Sequence, residues 1–177
     1  MTASSWVFPP ADSADEHGIV GIGADLEPAT ILAAYAQGLF PMPLEPNGPI
    51  AWWSPDPRAI MPLDMHVSRS LARSMRRFHF TIDTSFVQVD EGELVGGVYG
   101  LGIGGLFAGE SMFHTETDAS KAALVHLTKT LRESGFQLFD VQWMTPHLSS
   151  LGAIDLSRNE YLRRLERAVS AGEASLT

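Results

Sequence analysis

The chain has 177 residues, of which 45% are hydrophobic and 19% charged, with no cysteine and a net charge of −9. That length suits one domain, or one domain with a small satellite, and the absence of a long apolar run speaks against a membrane-spanning protein. Without cysteine, disulfides, thiolate metal sites and a cysteine nucleophile are excluded.

The acidic sum conceals an uneven distribution. Arg58, Arg69, Arg73, Arg76 and Arg77 are concentrated in one short stretch, whereas residues 78–120 carry no Lys or Arg and include Asp83, Asp90, Glu91, Glu93, Glu110, Glu116 and Asp118. One region is suited to an anion and another to a cation. The six histidines show no close ligand spacing, so no metal is expected. The start, Met1 to Trp6, lacks the basic and apolar parts of a signal peptide, which predicts a cytoplasmic protein.

In chain order, residues 1–25 read as loop and turn, with Ile19, Val20 and Ile22 as a short apolar run. Pro28 to Gln37 predicts a helix, because proline suits the first turn and Gly38 the left-handed cap. Seven prolines between Leu39 and Pro62 predict a stiff, extended connection centred on Trp52-Trp53-Ser54-Pro55-Asp56-Pro57-Arg58. Trp52 and Trp53 are either a stacking platform or a plug that fastens the loop to the core. Ser68 predicts the N-cap of a helix to Arg77 that carries Arg69, Arg73, Arg76 and Arg77 on one arc and Leu71 and Met75 on the other. That arc is either a phosphate-binding face or an ordinary solvated one. A short strand is expected at Phe78–Ile82, then a turn or brief helix to Val89. Residues 92–113 hold eight glycines and predict a β-hairpin turning near Gly102-Ile103-Gly104. A helix from Asp118 to Ser134 stops at Gly135, a strand follows over 136–143, and Ser157 with Glu160 forms a capping box that opens the last helix.

Two strands carry the candidate chemistry. In Gly109-Glu110-Ser111-Met112-Phe113, strict alternation puts Leu106, Ala108, Glu110 and Met112 on one face, so Glu110 points into an apolar layer. In the strand over 136–143, Asp140 and Gln142 share a face. Together the three describe either a polar cluster in a small-molecule cleft or a buried hydrogen-bond network.

These stretches resemble the leucyl/phenylalanyl-tRNA–protein transferase family. The likeness runs through Gly21-Ile22-Gly23-Ala24-Asp25-Leu26, Ala34-Tyr35-Ala36-Gln37-Gly38-Leu39-Phe40-Pro41, the Trp52–Arg58 motif, His66-Val67-Ser68-Arg69-Ser70, Glu93 to Gly100, Gly109 to Phe113, Ala119-Ser120-Lys121 and Ser150-Leu151-Gly152-Ala153. The resemblance implies an α+β protein: a small N-terminal domain (1–62) beside a domain (63–177) like the Gcn5-related N-acetyltransferases, with a mostly antiparallel mixed sheet flanked by helices. It implies a monomeric aminoacyltransferase that moves Leu or Phe from charged tRNA to acceptor proteins beginning with Arg or Lys, marking them for degradation, without metal or coenzyme. Asp140, Gln142 and Glu110 match the catalytic positions. Trp52, Trp53, Val98, Phe107, Ser111, Met112, Leu124, Leu127 and Phe139 fall to substrate binding, and Arg58, Arg69, Arg73, Arg76 and Arg77 to tRNA.

The chain departs from the family's pattern at one place. Relatives carry several dozen more residues between the positions matching Phe86 and Gly92, including a strand and a helix. Either the fold has closed up there, or this version is impaired, with apolar surface uncovered near Val87, Val89, Leu94 and Val95, and binds tRNA or peptide without transfer. An acetyltransferase using acyl-CoA is disfavoured, since the pyrophosphate-binding signature does not precede Asp118.

Overall fold

A computed structural model describes residues 4–83, 94–172 and 174–176. The expected turn or helix over 83–89 and the shortened stretch Phe86–Gly92 therefore lie almost wholly outside the described residues, as do Val87 and Val89.

Two sheets organise the chain. Strands β1 (Ile19–Ile22), β2 (Phe40–Pro43) and β3 (Ile50–Trp53) form an antiparallel sheet in the order β1-β3-β2. Helix α1 (Pro28–Tyr35) lies between β1 and β2 in sequence; it opens on Pro28 and gives way to a turn in which Gly38 has φ +85°. Ala34, Leu39 and Trp52 are enclosed at the centre of this unit, against Phe8, Val20 and Ile50. The proline-rich connection is thus partly strand. Pro41 and Pro43 are tolerated because β2 is an edge strand that pairs only with β3.

The second sheet contains β4 (Arg58–Ile60), β5 (Gly96–Ile103), β6 (Leu106–His114), β7 (Leu138–Gln142) and β8 (Ile154–Leu156) in the order β5-β6-β7-β4-β8. Only β6 and β7 run parallel, joined by helix α3 (Ala119–Glu133); the other pairs are antiparallel. A mixed, mostly antiparallel sheet flanked by helices is what the family resemblance implies. The expected boundary after residue 62 does not follow the sheets, because β4 precedes it and sits between β7 and β8.

Alternation along the two central strands sorts their side chains to opposite layers. Phe107 and Phe139 meet Leu124 and Leu131 of α3, whereas Leu106 and Leu138 meet Tyr161, Leu165 and Ala168 of helix α5 (Arg158–Ser170). Ser157 caps α5 by accepting from the Glu160 amide, but the Glu160 carboxylate pairs with Arg163 and Arg164 instead of completing a capping box.

Helix α2 (Arg69–Met75) is capped by Ser68 and buries Leu71. The strand expected at Phe78–Ile82 is not formed: the segment is irregular and is held to α3 by stacking of Phe80 on His126, with ring centres 4.5 Å apart. An apolar side chain here finds a ring on a helix rather than a ladder partner. Among the described residues β5 is an edge strand, with Tyr99 53% and the nearby Leu94 41% exposed.

Candidate active site

Glu110 is placed by a β-bulge. Across β5 and β6 the register passes from Tyr99 opposite Ser111 to Gly100 opposite Gly109, so Glu110 is the extra residue. The strict alternation expected from the sequence therefore breaks at this point. Ala108 joins Tyr35 and Phe40 in one apolar cluster, while Met112 joins the α3 layer with Phe107. Glu110 is not sunk in an apolar layer but stands exposed beside it. Its Oε1 accepts from the Tyr35 hydroxyl and, at 3.2 Å, from the Gln142 amide nitrogen. Burial, and then the hydrogen bond to Glu110, push the Tyr35 phenol far above its ordinary pKa, so it remains a donor.

Gln142 ends β7 with φ +65°, a left-handed conformation uncommon for a residue with a side chain. A local hydrogen bond supports it: the Gln142 N–H donates to Asp140 Oδ1 at 2.9 Å. Asp140 is completely enclosed and meets the Arg58 guanidinium through both oxygens, Nε to Oδ1 at 2.9 Å and the terminal nitrogen to Oδ2 at 2.6 Å. The Tyr161 hydroxyl donates to Oδ2 at 2.9 Å. Burial opposes the Arg58 charge, yet the Asp140 carboxylate more than offsets it and holds the guanidinium above its ordinary pKa. Phe40 and Tyr161 cover Arg58 with their rings, 4.5 and 4.6 Å from its central carbon.

A cavity of about 220 Å³ opens beside Glu110 and Gln142. Val98, Met112, Leu124, Phe139, Val141 and Leu148 make its apolar wall; Gly109, Ser111, Thr145 and His147 complete the lining. Gly109 leaves room for the Phe139 ring, since a Cβ there would lie 2.9 Å from it. After Gln142 the chain turns through Trp143, Met144 and Thr145 into the short helix α4 (Pro146–Ser150), capped by the Thr145 hydroxyl, which brings His147 and Leu148 to the cavity.

Glu110, Gln142, Val98, Ser111, Met112, Leu124 and Phe139 thus line one cavity. Asp140 stands behind it as a support. Phe107 and Leu127 do not line it; both belong to the layer beneath α3 and border a separate recess on the β5 side. Trp52 is 1% exposed and donates to the Gly23 carbonyl at 2.7 Å, which makes it the plug rather than a stacking platform. Trp53 donates to the Met42 carbonyl and packs edge-on against Trp143, away from the cavity lining. Arg58 is the clearest correction: it is 1% exposed and paired with Asp140, so it presents nothing to tRNA. Arg69, Arg73, Arg76 and Arg77 are exposed on or just beyond α2. Sequence reasoning missed Tyr35, Tyr161, Thr145 and His147. Tyr35 lies within a resemblance motif, but nothing local tells that its hydroxyl reaches a residue 75 positions away.

A sequence model of the leucyl/phenylalanyl-tRNA protein transferase family matches residues 89–166, and one of that family's N-terminal domain matches residues 24–56. A Legionella pneumophila protein named leucyl/phenylalanyl-tRNA--protein transferase is 37% identical over 94% of this chain and 93% of its own length. This chain belongs to the leucyl/phenylalanyl-tRNA protein transferase family. Other family members show the same extent of likeness: a Shewanella sediminis relative is 40% identical over 86% of this chain and 82% of its own, and a Herpetosiphon aurantiacus relative 42% identical over 81% and 95%. The Legionella alignment runs over 207 residues, more than the 177 of this chain, so that transferase carries residues without a counterpart here. Within the family assignment, the matched regions contain Tyr35, Glu110, Asp140, Gln142 and the whole cavity lining.

Proposed function

We propose that the chain is an aminoacyltransferase that moves leucine or phenylalanine from charged tRNA to the N-terminal Arg or Lys of acceptor proteins, marking them for degradation. The observation that carries this reading, beside family membership, is an apolar cavity with a carboxylate and an amide at its rim. The cavity suits the Leu or Phe side chain, whose burial contributes about 1.5–3 kcal/mol of binding. Glu110 draws the cationic acceptor terminus, Gln142 contacts the attacking α-amino group, and Asp140 holds the Gln142 backbone in its left-handed conformation. A preoriented ester and amine avoid an entropic cost that reaches roughly 7 kcal/mol. Arg69, Arg73, Arg76 and Arg77 form the face toward tRNA phosphates. The larger sheet and its helices serve as the acetyltransferase-like unit, and the enzyme acts as a monomer in the cytoplasm. Among the described residues no helix is long and apolar enough to cross a membrane.

The test is transfer of labelled Leu from Leu-tRNA to an acceptor protein beginning with Arg, run beside a longer relative. Transfer to the Arg-starting acceptor and not to its Ala-starting variant is expected. No transfer while the relative is active would support the second reading, a tRNA- or peptide-binding member without transfer. That reading is favoured by one observation, the residues of the longer relatives that have no counterpart here.

A further inference from the structure

The aminolysis just proposed has a proton to move, and the residues named so far do not move it. Gln142 is a neutral amide and a poor base. Asp140 is enclosed behind the strand, with both oxygens engaged by Arg58, Tyr161 and the Gln142 amide. Among the described residues, only two side chains of the cavity lining are ionisable, Glu110 and His147. Glu110 already accepts from Tyr35 and Gln142 and is assigned to the acceptor cation. His147 is half-buried on α4, and among the described residues its imidazole makes no hydrogen bond, ion pair or ring contact; only its backbone carbonyl is engaged, by the Ser150 hydroxyl.

We infer that His147 is a further catalytic residue, the proton carrier of the transfer. The inference rests on the aminoacyl-transfer reading above. The acceptor ammonium first loses one proton to water. Its nitrogen then attacks the ester carbonyl carbon, forming the C–N bond while the neutral imidazole takes a second proton from nitrogen. When the bond from that carbon to the tRNA ribose oxygen breaks, the imidazolium returns the proton to that oxygen, which leaves as a hydroxyl. The imidazole ends neutral, and no oxidant or coenzyme enters. Among the described residues the only charged group on the cavity wall around His147 is Glu110 on β6; the facing parts of β5, α3 and β7 contribute Val98, Leu124, Phe139, Val141 and Gln142.

The experiment measures single-turnover Leu transfer to an Arg-starting peptide across pH 5.5–8.5 for the parent, His147→Gln and His147→Ala, with Leu-tRNA binding and thermal midpoint recorded. The parent rate is expected to show two rises, the upper at about 7.7–8.0 from the acceptor amine and a lower one that depends on the residue at position 147. Both variants should lose the lower rise and slow by about 100-fold or more, with Leu-tRNA binding nearly unchanged. Added imidazole should restore His147→Ala, an effect no packing defect would show. Retention of the lower rise in His147→Gln, or rates within about threefold of the parent, overturns the proposal. A parent that transfers nothing overturns the functional reading and this one together, whereas a parent whose transfer is indifferent to position 147 overturns this one alone.

Discussion

Asp140 and Gln142 sit two residues apart on β7, but their substitutions should act through different physics. Gln142→Ala removes an amide at the cavity rim, and transfer should fall about 100-fold or more with the thermal midpoint nearly unchanged, as steady-state assay and calorimetry would show. Asp140→Ala leaves the enclosed Arg58 guanidinium without its carboxylate, a loss of about 3–5 kcal/mol. The sequence alone predicts activity loss with an intact fold for both. The burial of the Arg58–Asp140 pair changes that expectation for Asp140. Urea unfolding that shows Asp140→Ala as stable as Gln142→Ala would contradict it.

At the scale of elements, the bulge in the β5–β6 hairpin determines where Glu110 stands. Gly100 permits it: a Cβ there would lie 2.1 Å from the Ala108 carbonyl oxygen. Gly100→Ala should therefore destabilise the chain by about 1–3 kcal/mol and shift Glu110, lowering transfer as well as the thermal midpoint. The contact between α3 and the irregular segment after α2 carries a pH dependence. Burial, then repulsion from Lys129, depress the pKa of His126, which is half-buried and stacks on Phe80. A histidine with a folded-state pKa below its unfolded value binds its proton more readily when unfolded, so stability is lost as pH falls below about 6.5. His126→Phe should flatten the change in melting temperature between pH 7 and pH 5.5. On α2 and at its C-cap, Arg69, Arg73 and Arg76 form no ion pair among the described residues. Changing all three to Gln should weaken tRNA binding and reduce the slope of log affinity against log salt by up to about 3, measured by filter binding. An unchanged slope would assign the face to solvent.

Across the whole molecule, Arg58 is the tie between the two sheets. Its guanidinium bonds the Gly38 carbonyl at 3.3 Å beside the small sheet, Asp140 in the large sheet, and lies against Phe40 and Tyr161. Arg58→Lys keeps the charge but not the fork or the flat stack, so it should not restore the stability lost in Arg58→Ala. Both should lower the thermal midpoint together with activity while leaving the tRNA salt slope intact, a pattern opposite to that of the α2 variants.

Much of this is legible in the amino-acid order, because it depends on local rules. Pro28 with Gly38, and Ser68 and Ser157 as caps, delimit helices within a few residues of their observed ends. Alternation over 136–143 places Asp140 and Gln142 on one strand but wrongly on one face, since the left-handed Gln142 turns its amide to the cavity while Asp140 faces Arg58 and Tyr161; the quoted motifs suffice to suggest the family. What only the tertiary structure decides is which polar groups meet across the chain. Arg58 reads as a surface cation in a basic stretch until its strand is inserted beside β7, where it meets Asp140, 82 positions further along the chain. Trp52 reads as platform or plug until Ala34 and Leu39 close over it. The bulge at Glu110 escapes period-two counting, since one extra residue resets every later side chain and only the register against β5 reveals it. Burial and long-range pairing are properties of the packed sheets, and no local periodicity encodes them.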